Sequence, residues 1–153
     1  MSKEILSIEF NKLKEDLIKA YDEKGMRASG DFANSLEVVA TGFNVKLLGN
    51  DYAQQLETGR QSGRFPPIDA IKQWIDDKGI SNRLNGEITR NQLAFLIARK
   101  IAREGWKRQG YGGVELISDV VTDERIQSII DEVGESQVIT YTTEIIQLIK
   151  EMA

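Results

Sequence analysis

Between Leu36 and Leu48 the apolar residues change period. Leu36, Val38 and Ala40 alternate with Glu37, Val39 and Thr41, and after Thr41-Gly42 the pattern resumes as Phe43, Val45 and Leu47 against Asn44 and Lys46. A period of two puts successive side chains on opposite faces of a strand, so the spacing predicts a hairpin of two short strands over about 36–48. On both sides of it the apolar residues mostly recur every three or four positions, the helical period. A strand pair set among helices implies an α+β fold, with a small antiparallel sheet packed against several helices. Gly49-Asn50-Asp51 then punctuates the chain, and the following Tyr52–Glu57 reads equally as a third strand or a helical turn.

Ile5, Ile8, Leu13, Leu17 and Tyr21, supplemented by Leu6, Phe10 and Ile18, predict an amphipathic helix that Gly25 ends, after which Met26–Ala33 reads as a linker. The only two prolines stand side by side. Pro66 holds Phe65 extended, and Pro67 pre-sets the first turn of a helix. Ile68, Ile71, Trp74 and Ile75 mark one face of that helix, with Trp74 expected in the core and Gly79 as the stop. Thr89 caps the next helix, whose expected buried stripe is Leu93, Leu96, Ile97 and Ile101 with Ala94 and Ala98, and Gly105 closes it. Gly110–Gly113 reads as a flexible turn, and Val114–Val121 is apolar and compatible with extended chain. Thr122 then starts a helix with Asp123 and Glu124 in its first turn, where the helix dipole favours acids, and Gly134 is expected to interrupt it. In the tail Val138, Tyr141, Ile145, Leu148 and Met152 keep helical spacing while 138–143 has strand composition. Its second half reads as helix, and its first half supports either form.

No repeat, low-complexity tract or proline-rich linker divides the 153 residues, so they read as one domain: an N-terminal helix over 1–25, a core, and a C-terminal helical extension over 114–153. The zeros in the composition narrow the chemistry. With no Cys and no His there is no thiolate nucleophile, no thiolate zinc site and no imidazole base. The carboxylates are scattered: Asp76-Asp77 point to different helix faces and Asp123-Glu124 stand where a helix start attracts acids anyway. The expectation is a protein that is not an enzyme, with no catalytic residue, no metal and no cofactor. The segment MSKEILSIEF has acids at Glu4 and Glu9 in place of a signal peptide's apolar core, and no apolar run approaches the ~18 residues of a membrane span.

Charge is unevenly placed although the net is only -4. Arg90, Arg99, Lys100, Arg103, Lys107 and Arg108 are opposed by Glu104 alone, whereas Glu115–Glu135 is rich in acids around the single base Arg125. These are either solvated helix faces or the complementary sides of a self-associating ring. The basic segment, with Trp106 and Tyr111 beside it, also fits a nucleic-acid-binding helix over 90–108, which the overall negative charge opposes. The loop Thr58–Arg64 lacks the Gly-Lys-Ser/Thr ending of a phosphate-cradling loop and reads as an exposed contact loop carrying Arg60 and Arg64. Trp106, set among charges, is the better contact candidate of the two tryptophans.

Three blocks in order resemble the tail-completion, or head–tail joining, proteins of tailed bacteriophages. The first is a Tyr-Ala-x-x-Leu/Val-Glu-x-Gly block, here Tyr52, Ala53, Leu56, Glu57 and Gly59. The second is a helix starting with Pro-Pro and holding a tryptophan, here Pro66, Pro67, Ile68, Ile71 and Trp74, followed by Lys78 and Gly79. The third is Ala-x-x-Ile-Ala-Arg-x-Ile, here Ala94, Ile97, Ala98, Arg99 and Ile101, closed by Gly105. The likeness covers about residues 36–110, the family-like core. It implies a small curved sheet backed by helices in a structural virion protein of the neck, assembled in the host cytoplasm. The protein would form a hexameric ring between the head connector or stopper and the tail-tube or tail-terminator protein. DNA would pass its channel without sequence-specific binding, and no membrane is involved. The implied contact residues are Glu57, Arg60, Arg64, Arg99, Lys100, Arg103 and Trp106, and the motif residues with structural roles are Tyr52, Gly59, Pro67, Trp74 and Gly79. Beyond Gly105 the family continues into a short proline-containing segment and one helix, whereas this chain has Tyr111-Gly112-Gly113, an acidic stretch and a longer tail. The C-terminal third therefore reads as specialised for a different neighbour.

Overall fold

The computed structural model describes residues 2–42, 44–51, 53–106 and 115–152. Phe43, the motif residue Tyr52, the bases Lys107 and Arg108, Tyr111 and the expected turn Gly110–Gly113 lie outside the described residues. The elements run α1 (Ser2–Glu23), α2 (Asp31–Ser35), β1 (Glu37–Thr41), β2 (Asn44–Leu48), α3 (Ala53–Thr58), α4 (Ile68–Asp77), a short 3-10 turn (Ser81–Arg83), α5 (Arg90–Glu104), α6 (Leu116–Val120) and α7 (Asp123–Met152). The result is a mostly helical α+β fold with one small antiparallel sheet.

α1 buries Leu13, Leu17 and Tyr21 at helical spacing. It ends where expected, with Gly25 at φ 64° and the Met26 N–H donating to Tyr21 O at 3.1 Å. The expected linker contains α2, because Phe32 must be covered. Its ring lies 4.7 Å from that of Tyr21, and both join Leu17, Met26, Leu36 and Leu116 in the first core cluster. The hairpin pairs Glu37 with Leu48 and Thr41 with Asn44, and both of its strands lie against α1.

There is no third strand among the described residues; the segment after Asn50-Asp51 is α3. Ala53 and Leu56, three apart, both pack on the first cluster while Gln55 is exposed, which a helix allows and strand alternation does not. α4 and α5 form the second cluster, where Ile71 and Ile75 meet Ala94 and Ala98. Thr89 caps α5 in a reciprocal box with Gln92, each side chain bonded to the other's backbone N–H. Two expectations fail here. Trp74 is 41% exposed rather than core, and Leu96 is 48% exposed rather than part of the buried stripe. The contact runs through the small side chains of Ala94 and Ala98 along a narrow line, so the edges of each apolar arc stay outside.

Val114–Val121 does not run extended where it is described: Leu116–Val120 is α6, drawn in by the fully buried Leu116. Gly134 does not interrupt α7, which is one continuous helix of 30 residues. A helical glycine costs only ~1 kcal/mol relative to alanine, too little to break the helix here. The segment 138–143, strand-like in composition, is likewise part of α7.

Candidate interaction surface

The first half of α7 is built to lie on α1. Thr122 starts it, its Oγ1 accepting from the Arg125 N–H at 3.2 Å. The Glu124 backbone N–H, and after it the Thr122 hydroxyl, hydrogen-bond the Glu124 carboxylate and hold it below the usual carboxylate range. Arg125 points to α1, where its guanidinium lies 3.4 Å from Asp16 and 3.9 Å from the buried Glu9. Glu9 also pairs with Lys12, an ammonium raised above its ordinary pKa chiefly by that hydrogen bond. Ile129 and Ser136 continue the same line and are buried.

Past Ser136 the helix turns over. At 3.6 residues per turn each residue rotates by about 100°, so Ile145, nine positions on, stands about 180° from Ser136. Val138, Tyr141, Ile145, Leu148 and Met152 all lie on this far side and all are exposed, Met152 by 87%. The line that faced α1 is instead continued by Thr140, Thr143, Gln147 and Glu151, with the Thr140 and Thr143 hydroxyls bonded to carbonyls one turn back. From Tyr141 to Met152 every residue is exposed, so this stretch of α7 stands clear of the other described residues and its apolar face is uncovered. In the first half the outward side is mixed: Asp123, Glu124, Asp131 and Glu135 line an open groove, and Ile126 and Ile130 stand exposed beside them. No group of three or more carboxylates placed to hold a metal ion occurs among the described residues, nor any helix long and apolar enough to cross a membrane.

A second outward face lies on α5. Phe95, Leu96, Arg99, Lys100 and Arg103 are all exposed, at spacings of three, four and seven that share one side of the helix. Its N-terminal half is mixed: Ile88, Phe95 and Leu96 border a shallow depression together with Glu87, Asn91 and Gln92, and Phe65 from the preceding loop lies 6.1 Å from Phe95. Its C-terminal half is basic.

The loop 58–65 is tied to the end of α5 within the single chain. Arg60 and Trp106 exchange backbone hydrogen bonds of 2.9 and 2.7 Å, and the Gly63 N–H donates to Ala102 O at 2.7 Å. Arg60 also donates to Arg64 O at 3.2 Å. Gly59 lies in the left-handed region at φ 76°, Pro67 is the N-cap of α4, and Gly79, at φ 66°, follows its end.

The expected contact residues therefore divide. Arg64, Arg99, Lys100 and Arg103 face solvent, with Arg60 half-buried beside them. Glu57 is turned inward: its carboxylate accepts from the N–H groups of Ile117 and Ser118, at 2.7 and 3.2 Å, and from the Ser118 hydroxyl. It thereby anchors the start of α6 to α3. Trp106 packs against the first core cluster. The exposed apolar residues Phe65, Phe95 and Leu96 and the reversed face of α7 are additions. The polar line Thr140, Thr143, Gln147 and Glu151, continuing the packed line of Ile129 and Ser136, is the sequence signal that carried the latter. Set against known proteins, the chain matches no family, no curated protein and no solved structure.

Proposed function

We propose that this chain is a structural, self-associating protein of the tailed-phage neck, a ring that joins the head connector to the tail. The observation that supports it best is the outward apolar face on the second half of α7. Several large side chains each about half exposed or more amount to several hundred Å2, at or beyond the ~300–600 Å2 patch that typical monomers carry. Such a face belongs to a component that is completed by assembly. The motif blocks centred on Gly59, Pro67 with Trp74, and Ala94–Gly105 add the neck identity by resemblance. In this role the chain binds itself and the neighbouring connector or tail protein, performs no chemical step, and leaves a passage for DNA.

Light scattering with negative-stain microscopy, on the protein alone and beside a connector ring, tests the assignment. A closed ring in either setting is expected; a monomer that also ignores the connector overturns it. A second assignment, nucleic-acid binding through α5, is favoured by the common face of Arg99, Lys100 and Arg103. It requires affinity that falls steeply with salt, because each neutralised phosphate releases counterions.

A further inference from the structure

We propose that the outward face of α7 in one copy packs antiparallel on the outward face of α5 in a second copy. The inference rests on the self-associating assignment above and names the two surfaces that meet.

Two observations carry it. Every residue from Tyr141 to Met152 is exposed, so nothing among the described residues covers the apolar side chains of that stretch. On its outward side α7 carries Asp131 and Glu135 and then Val138 and Ile145, all within about 80° at ~100° per residue, with Ile130 exposed beside the acids. α5 carries Phe95 and Leu96 and then Arg99 and Arg103. Only an antiparallel arrangement puts apolar on apolar and acid on base at once. A parallel pair of α7 helices would instead place Asp131 and Glu135 beside their own copies, which like-charge repulsion disfavours. Because the two surfaces differ and lie on separate elements, the contact is heterologous: each copy keeps one free α5 face and one free α7 face, so chains extend until they close.

Complementation tests this. One variant carries Ile145→Asp and Ile149→Asp, the other Phe95→Asp and Leu96→Asp, and circular dichroism verifies that each is folded. By light scattering each alone is expected to be monomeric, and a one-to-one mixture to give a dimer that grows no further, since only one intact interface can form. A mixture that stays monomeric overturns the pairing, as does an α5 variant that assembles like the wild type while the α7 variant does not, the signature of α7 pairing with itself. A second pair leaves every apolar side chain in place: Arg99→Glu with Arg103→Glu should weaken association at least tenfold, and adding Asp131→Lys with Glu135→Lys should restore it. Failure of that rescue also overturns the proposal. Rings formed normally by all variants would sink this interface while leaving the neck assignment standing. A wild-type chain that is monomeric alone overturns the interface whatever the connector does, and the neck assignment falls only if the connector is also ignored.

Discussion

Replacing Gly105 with alanine should unfold the joint between the 58–65 loop and α5. Gly105 ends α5 at φ 75°, ψ -166°, and a Cβ there would lie 2.3 Å from Arg60 O, 3.0 Å from Ser62 N and 3.1 Å from Gln61 C. All three are backbone atoms, which cannot swing aside as a flexible side chain does. Two costs add. An L-residue held at positive φ loses roughly 1–2 kcal/mol. To clear the Cβ the loop must also retreat, giving up the reciprocal Arg60–Trp106 hydrogen bonds at about 0.5–1.5 kcal/mol each. The total is about 2–5 kcal/mol, a large share of the ~5–15 kcal/mol that stabilises a typical domain. Two other glycines calibrate the value. Gly79, at φ 66° with no atom within 4 Å of its Cβ position, isolates the strain, so Gly79→Ala should lose only about 1–2 kcal/mol. Gly134 is helical and equally unobstructed, and Gly134→Ala should gain about 0.5–1 kcal/mol. Urea unfolding followed by far-ultraviolet circular dichroism measures all three, and Trp106 emission should shift to the red in the Gly105 variant as the ring leaves the core. If Gly105→Ala and Gly79→Ala agree within about 0.5 kcal/mol, the loop is not pinned as described.

Glu57→Ala should cost about 1.5–3 kcal/mol in urea unfolding, because the carboxylate accepts charge-assisted bonds at the start of α6; a loss below about 0.5 kcal/mol would show that α6 holds without it. The Ser136 hydroxyl is buried without a hydrogen-bond partner, so Ser136→Ala should leave stability unchanged or raise it by up to about 1 kcal/mol, and a clear loss would count against that geometry. Asp22, lowered chiefly by its hydrogen bond to Arg27, and Glu124, lowered by its own N–H and Thr122, both bind protons less readily folded than unfolded. Their contribution is therefore complete above the ordinary carboxylate pKa of about 4 and fades as pH falls through the lower folded values. Melting temperatures between neutral pH and pH 2 should fall less in the Asp22→Asn, Glu124→Gln double variant, and identical profiles would contradict the assignment.

Local chemistry made much of the fold readable in the sequence. Alternation located the hairpin, Thr89 marked the start of α5, and Gly25, Gly79 and Gly105 marked ends because each needs a backbone at positive φ. What local pattern did not carry was the choice among apolar positions on one helix. Trp74 and Leu96 have the spacing of core residues, but a close contact through alanines buries only a narrow line, and which edge stays outside depends on the partner helix. Glu57 and Ile117 are sixty positions apart, so nothing near either residue announces the cap. The candidate surface divided in the same way. The opposite charges of 90–108 and 115–135 are plain in the composition of those segments. Their alignment with apolar patches, antiparallel in sense, emerges only from the rotation of α7 about its axis.

Because the second half of α7 gains no packing from its own chain, its helicity rests on backbone hydrogen bonding over about fifteen residues, the length at which isolated helices are marginal in water. Under the proposed association, local order there becomes a function of protein concentration. Its amides should exchange with solvent quickly in dilute solution and slowly once copies meet, so that folding of the last turns and association are a single linked equilibrium.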